Sequence, residues 1–578
     1  MKMEHKIYRS DIPRIIKGIF PFLISVNIFA LLGYIAFNAF DWGLTVRDTE
    51  YVLVSFLFVN FICGVTLIAL NFKELKTLFK PIKKNTLITL VLILFVASYL
   101  RIAVVPHTPR IYFDEDLYIG IAHVIATQGK TELCNYGTPT ECREGILNKE
   151  PNAYPFFVAL LYAVLWSSNP LVFHLFTFFG IISVLLIFLA VYLLTENEST
   201  ALYSALFLAL LPSHIVWTGS ISVELFFVVF SLLSLIFLAA YIRVGTFKML
   251  ALSTVWLAFT AQSRPESSLF IIVCFLAVLL YKKNILRELA SFRFWIPWLI
   301  LAILLTPHVA HLKNAEETDD WGAGGREKKF SQDVAKRQWN EMSQYWFAGV
   351  MFPQAFTLFA AIGVIYGILF DRRILFLALV WFGLFFGLFT FFYAGGVLSG
   401  GIGTRFANIY SIPVVIIAAF GLSKVTGMLS KKAGHRDLMF LIVAVISVYS
   451  MQTAWDYITV PDKQAQYARD MHGFVYEHMD EIPKQCFVLT HNPSIFLINE
   501  IGSLQTWYGT NDKVMDTVFA ESGDCVYWLE GAWCLFPPHK GGVCQSMKNR
   551  YDLEVVHQLI REENAEQVFT IYRVRRKG

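Results

Sequence analysis

Charge is what this sequence has least of. Only 16% of its 578 residues are Asp, Glu, Lys or Arg, where a soluble globular chain carries about 25%. That shortfall excludes an ordinary soluble domain. The net charge of +4 is too small to say much about partners, and no stretch offers a surface for nucleic acid. Internal repeats and low-complexity tracts are absent. Cysteine is sparse, at eight. What the chain has instead is apolar. Hydrophobic residues make up 56%, mean hydropathy is +0.54, and the apolar blocks reach the roughly 20 residues needed to cross a bilayer. Its 52 Phe and 14 Trp suit lipid-facing helices and interfacial belts.

The blocks predict membrane spans near 18–40, 51–71, 86–105, 170–194, 200–217, 222–242, 249–262, 267–281, 295–311, 347–370, 374–394, 406–423 and 437–454. Lys and Arg near span ends favour the cytoplasmic side. Lys2, Lys6, Arg9, Arg14 and Lys17 place the N-terminus inside, and Lys73, Lys76, Lys80, Lys83 and Lys84 do the same for the second loop. The segment 106–152 then lies outside. Later basic connections, at Arg243/Lys248, Lys282/Lys283/Arg287/Arg293, Arg372/Arg373 and Lys424/Lys431/Lys432/Arg436, all face inward only if the short apolar block 153–167 does not cross. It is therefore expected to lie on the surface or to be re-entrant, leaving about thirteen spans. The first block is too long for a signal peptide, lacks a small-residue cleavage site and reads as an anchor.

From about 455 the chain turns polar. Its runs Cys486–Leu489, Cys525–Trp528 and Val568–Tyr572 read as strands, and 463–480 and 555–565 read as helices. The expected organisation is two additional N-terminal spans (1–85), a transmembrane domain (86–454) and a small α/β domain (455–578) outside the membrane. Cys134, Cys142, Cys486, Cys525, Cys534 and Cys544 all fall outside, where an oxidising compartment permits pairing. Cys134–Cys142 and Cys534–Cys544 are the leading pairs by proximity; free thiols are the alternative.

Candidate chemistry gathers on the outer side. Asp114, Glu115 and Asp116 follow directly on a span, with Tyr118 close behind. Three adjacent acids repel one another unless cations, a metal or water stabilise them; a solvated acidic loop is the plainer reading. Glu224 lies just inside a span, where a carboxylate is costly and usually faces a cavity, or else snorkels to the interface. Arg264 sits in the tight turn Ser263-Arg264-Pro265-Glu266, and Arg405 opens a span after the glycine-rich 395–403. Guanidinium groups so placed suit bidentate binding of phosphate, the alternative being interfacial anchoring. That glycine run follows a span and not a strand, so it is no dinucleotide fingerprint. Lys149 and Tyr154 belong to Asn148-Lys149-Glu150-Pro151-Asn152-Ala153-Tyr154-Pro155, which leads into the non-spanning block. His308 and His311, followed by Asp319 and Asp320, are a weaker candidate metal set.

These residues, in this order, resemble a GT-C glycosyltransferase of the protein-mannosyltransferase/aminoarabinose-transferase type, over roughly 86–425 and including an extracytoplasmic tail. Asp114-Glu115 with Tyr118 resembles that family's first-loop Asp-Glu motif. Asn148 to Pro155 resembles its Lys/His-Pro-Pro segment, with Glu150 and Asn152 in place of prolines. Leu211-Pro212 through Glu224 resembles its second outer motif, where Asp is more usual. Arg264-Pro265-Glu266 matches its Arg-Pro-Glu turn, and Arg405-Phe406 its late Arg-Tyr. The resemblance implies an α-helical polytopic membrane protein with a small C-terminal extracytoplasmic α/β domain. It also implies transfer of a sugar from a polyprenyl-phosphate-linked donor, with inversion, to an extracytoplasmic protein, lipid or glycan. Asp114 would be the base, assisted by Glu115. Asp116, Tyr118, Lys149, Tyr154, Glu224, Arg264 and Arg405 would bind substrate, with a divalent metal at Asp114, Glu115 or Glu224 as an open option. A lipid-linked donor follows independently from the topology, because the outer side lacks nucleotide sugars. The rival readings are an oligosaccharide transferase or polymerase, a transporter, and a membrane scaffold for the C-terminal domain.

Overall fold

The computed structural model describes the chain except 1–45, 112–113, 149, 166–169, 319–330, 393–402, 434–435, 461–464, 536–541, 562–565 and 578. The expected first span and Lys149 lie outside the described residues. The rest is a helical bundle carrying a small mixed sheet at one end.

Eight described helices are long and apolar enough to cross a membrane: Thr49–Phe79, Lys84–Val104, Val172–Thr195, Val223–Val244, Phe292–Ala315, Arg372–Phe391, Thr404–Leu429 and Phe440–Thr459. Phe247–Ala261, Pro265–Tyr281 and Gln354–Phe370 are shorter apolar helices. The bundle closes on small residues where backbones meet. A Cβ on Gly363 would stand 2.0 Å from the Ile417 carbonyl oxygen, and one on Gly421 2.4 Å from Gly363 N. Only glycine lets Gln354–Phe370 lie so close on Thr404–Ala433, as small residues do between membrane helices.

Two expectations need correction. The span expected at 200–217 is broken into Glu198–Ala209 and Pro212–Trp217. Pro212 has no N–H to continue the first helix. The carbonyls freed at the break are taken by Arg101, wholly buried, whose guanidinium donates to Leu208 O and Ala209 O at 3.1 and 3.0 Å and meets His214 Nδ1 at 3.0 Å. A cation at a helix C-terminus also complements its dipole. The second correction concerns 555–565. Residues 555–561 are extended, within strand Tyr551–Arg561, and pair antiparallel with Glu566–Arg576; 562–565 lie outside the described residues.

The block 153–167 forms helix Ala153–Leu165. Its start is bonded to the bundle, Ala153 N to Gln262 O at 3.2 Å. Tyr118 meets Tyr154 edge-on at 5.4 Å. About two turns later, Tyr162 is in electrostatic reach of Tyr476 in the C-terminal domain. Both ends thus stay on the face that carries that domain.

The sheet has seven strands: β1 Leu133–Gly137, β2 Cys142–Ile146, β3 Phe487–Thr490, β4 Gly502–Gln505, β5 Val526–Glu530, β6 Tyr551–Arg561 and β7 Glu566–Arg576, in the order β2-β1-β4-β3-β5-β7-β6. Strands β4, β3 and β5 are parallel and fully buried or nearly so, and β3 and β5 read as short apolar runs, as buried parallel strands do. The β1–β2 hairpin comes from the 106–152 loop and adds to β4 through Tyr136↔Leu504 and Gly137↔Ser503. The first loop and the C-terminal domain therefore share one sheet. The six cysteines outside the bundle form three disulfides, Cys134–Cys142, Cys486–Cys525 and Cys534–Cys544; the two pairs expected by proximity are among them. Cys486–Cys525 joins the residues just before β3 and β5.

Candidate active site

The candidate groups converge where four helices begin or turn beneath the C-terminal domain. Glu224 is the second residue of Val223–Val244 and is completely buried. Ser222, two residues before it at the N-cap, donates to Oε2 at 2.7 Å. Two guanidinium groups share the other oxygen: Arg264 Nη1 lies 2.6 Å and Arg405 Nε 3.4 Å from Glu224 Oε1. Arg264 reaches inward from the turn that ends Phe247–Ala261, and its Nε also pairs with Glu266. Pro265 sets that turn, because it cannot continue the preceding helix.

Arg405 is the second residue of Thr404–Ala433. A helix N-terminus carries positive partial charge and favours anions, so a buried arginine there needs external acids. It has them in Glu224 and in Asp114, whose Oδ2 accepts from both Nη1 and Nη2 of Arg405 at 3.2 Å. Phe406 forms the floor beneath both cations. Its ring lies 5.0 Å from Arg264 Cζ and 4.9 Å from Arg405 Cζ, and it stacks on Phe389 at 4.6 Å. Cation–π contacts of this kind hold guanidiniums flat while leaving their N–H edges free. Asp114 is the more open of the two acids that meet Arg405, its side chain 22% exposed against 0% for Glu224.

Tyr118 lies one turn after Asp114 on helix Asp114–Gln128 and so shares its face. Its hydroxyl donates to Glu150 Oε2 at 3.2 Å. Burial raises the Glu150 carboxyl above its ordinary range, reinforced by Asp114 and Glu266 and opposed by Arg264 and Arg405.

The other two acids of the first-loop cluster point elsewhere. Both Glu115 oxygens are occupied: Oε2 accepts from the backbone N–H of Arg110 and Ile111 at 2.9 and 3.2 Å, Oε1 from Ser220 Oγ at 2.6 Å and Ile221 N–H at 2.9 Å. Burial pushes this carboxyl up to about 7, against those donors. Glu115 thus pins the loop 106–111 to the loop 218–222 and sets where Asp114 stands. Asp116 faces the C-terminal domain, where its Oδ2 accepts from Asn492 Nδ2 at 2.6 Å and its Oδ1 meets His472 Nε2 at 3.0 Å. Tyr154 is buried against Tyr118, Phe176 and Phe226, its hydroxyl without a hydrogen-bond partner among the described residues.

Of the residues singled out in the sequence, the structure brings Asp114, Tyr118, Glu224, Arg264 and Arg405 together. It places Glu115, Asp116 and Tyr154 around them. The residues that sequence reasoning missed are Glu150, Ser220, Ser222, His472 and Asn492. Glu150 stood in the segment already flagged, beside Lys149; the two serines sat in the run leading to Glu224. A metal at Asp114, Glu115 and Glu224 would have to displace arginines from two of these carboxylates and four donors from the third. His311 is engaged by Asn152 and by the Asn148 carbonyl at 3.0 and 2.8 Å, and Asp319 and Asp320 lie outside the described residues.

No protein-family model matches the chain, and no curated protein matches it by sequence. Solved structures do. Apo ArnT from Cupriavidus metallidurans aligns with a TM-score of 0.50 at 10% identity, covering 84% of this chain and 97% of that one. The Archaeoglobus fulgidus oligosaccharyltransferase, tethered to an acceptor peptide, aligns with a TM-score of 0.49 at 12% identity over 85% of this chain and 74% of that one. Mycobacterial arabinofuranosyltransferase AftD aligns with a TM-score of 0.43 at 14% identity over 84% of this chain and 41% of that one. The fold is that of ArnT, as the GT-C resemblance implied: a polytopic helical membrane domain with a small C-terminal α/β domain.

Proposed function

We propose that the chain is a glycosyltransferase that moves a sugar from a polyprenyl-phosphate donor to an acceptor outside the cytoplasm. The observation that carries this reading is the pair Arg264 and Arg405. Both are held over Phe406 and anchored by one buried carboxylate, at the N-termini of the apolar helices Pro265–Tyr281 and Thr404–Ala433. Planar forks and helix N-termini both favour phosphate. A site at the ends of membrane helices suits a phosphate that arrives on a lipid. The ArnT fold supports the same assignment, and the loop-charge pattern puts the site and the C-terminal domain on the extracytoplasmic side.

In this reading the donor phosphate takes N–H groups of Arg264 and Arg405, with Glu224 as the fixed counter-charge that keeps both forks aimed. Arg405 now spends two N–H groups on Asp114 Oδ2. A phosphate competing for that fork frees Asp114 to accept the proton of an acceptor hydroxyl or amine. The acceptor lone pair forms the bond to the anomeric carbon as the bond to the phosphate oxygen breaks. The leaving phosphate carries the new charge into the arginines, which stabilise it as a preorganised electrostatic site does. A single displacement inverts the anomeric centre. Glu115 positions Asp114, and Tyr118 with Glu150 shapes the wall of the site.

The test is turnover. Purified protein is given a panel of radiolabelled polyprenyl-phosphate sugars with candidate acceptors. Release of polyprenyl phosphate from at least one donor is expected. Inertness toward every donor, alongside transport of any of them in vesicles, would replace this reading with the transporter.

A further inference from the structure

We propose that His478, Glu481 and His557 form a divalent-metal site of the zinc type on the C-terminal domain. It is separate from the arginine site and independent of the proposed transferase activity. His478 ends helix Ala465–His478, and Glu481 closes the following turn Met479–Glu481. Their spacing puts both side chains on one side of the chain. His557 arrives from strand β6, far away in sequence. The β6–β7 register slips between Val555 and His557, and such irregularities re-aim a side chain out of the alternating pattern.

The donor atoms converge. One ligand atom from each residue lies within 4.8 Å of the other two. His478 Nδ1 stands 3.0 Å from Glu481 Oε1, and His557 Nε2 3.0 Å from Glu481 Oε2. The two imidazole rings stack at 3.6 Å, with 12° between their planes. A single dication bridges such a set: two neutral ring nitrogens and a carboxylate oxygen that converge on one point each direct a lone pair at it. Two imidazoles and one carboxylate are a set that Zn²⁺ takes readily, with water in the fourth position; Ca²⁺ and Mg²⁺ prefer all-oxygen sites. The approach is open, with side-chain exposures of 18% for His478, 56% for Glu481 and 21% for His557. Phe474 backs the His478 ring at 5.1 Å on the inner side. The metal would clip the C-terminal hairpin to the helix beneath it.

The experiment uses the full chain, without a histidine tag, in detergent. The protein is stripped with a chelator, given Zn²⁺ alone, and passed through gel filtration before metal analysis. One retained equivalent is expected, together with a higher thermal midpoint. Co²⁺ in its place should show the d–d bands of N/O ligation without a thiolate charge-transfer band. His478→Gln and His557→Gln should each lose the equivalent. Glu481→Gln should weaken binding by at least the roughly 10–100-fold that loss of even a supporting partner costs. Folding of the ring variants is checked by their elution and intact disulfides; if they fail, the exposed Glu481→Gln decides alone. Failure of the native chain to retain Zn²⁺, or undiminished retention in the variants, overturns the site.

Discussion

At the scale of single residues, some groups of the site need geometry and others need only charge. Arg264→Lys and Arg405→Lys keep the charge and lose the planar fork. Each should cut donor use sharply, and to the same degree for donors that differ only in their sugar; a loss that depends on the sugar would place the arginines on the wrong part of the donor. Asp114→Asn keeps the shape and removes the proposed base. General-base assistance is worth about 10²–10⁴-fold, so kcat should fall by that order in single-turnover assays. Near-normal turnover in Asp114→Asn, with loss in Glu224→Gln, would move the base elsewhere. The order and types of these residues were legible in the sequence because a carboxylate or guanidinium in an apolar run is conspicuous. The division of labour among Asp114, Glu115 and Asp116 was not. Three adjacent acids at a helix start point in three directions about 100° apart, and only the partners show which one faces the arginines.

At the scale of elements, Glu115 holds two loops with four accepted hydrogen bonds. Gln would turn an N–H₂ toward donors that need an acceptor. A buried donor left unpaired costs about 1–3 kcal/mol, so Glu115→Gln should lower the thermal midpoint. It should also lower kcat through a displaced Asp114, and it should not restore activity at any pH; an active, fully stable variant would contradict this role. Helix Ala153–Leu165 is expected to stay on the C-terminal-domain side. A cysteine at Ala163 should label from the same side as one at Glu144 and from the opposite side to one at Lys248, whereas labelling with Lys248 would mean that the helix crosses. In the sequence, this expectation comes from the charge pattern alone, because the basic loops around the block constrain one parity. The strand at 555–561 was not legible, because Leu553, Val556, Leu559 and Ile560 fit a helical period as well as an extended one; pairing with β7, far stronger than local propensity, decides. The break at Pro212 could be read from the proline. Its stabiliser, Arg101, could not, since it lies 108 residues from the Ala209 carbonyl it caps.

At the scale of the molecule, the first loop is not a separate lid. It contributes β1 and β2 to the C-terminal sheet and meets that domain again through Asp116, His472 and Asn492. Burial alone would lower the His472 ring's affinity for its proton, but Asp116, aided by Glu115, outweighs it and holds the ring above its ordinary value. A raised folded-state value means that this contact contributes fully below about pH 6.5. The contribution is lost as pH rises through the folded value. The thermal midpoint of the C-terminal domain should therefore decline on the alkaline side of that range, and His472→Gln should flatten the decline. An unchanged profile would remove His472 from the contact.

The claim that organises the whole is that Arg264 and Arg405 receive a lipid phosphate while Asp114 serves the acceptor. Equilibrium binding of unglycosylated polyprenyl phosphate to the purified chain separates these roles directly. The native protein should bind it, Arg264→Lys and Arg405→Lys should weaken it at least as much as one charge-assisted bond is worth, about 1.5–3 kcal/mol, and Asp114→Asn should bind as well as the native chain or better, because Arg405 is released. Equal binding by the arginine variants, or a loss in Asp114→Asn as large as theirs, would contradict the account.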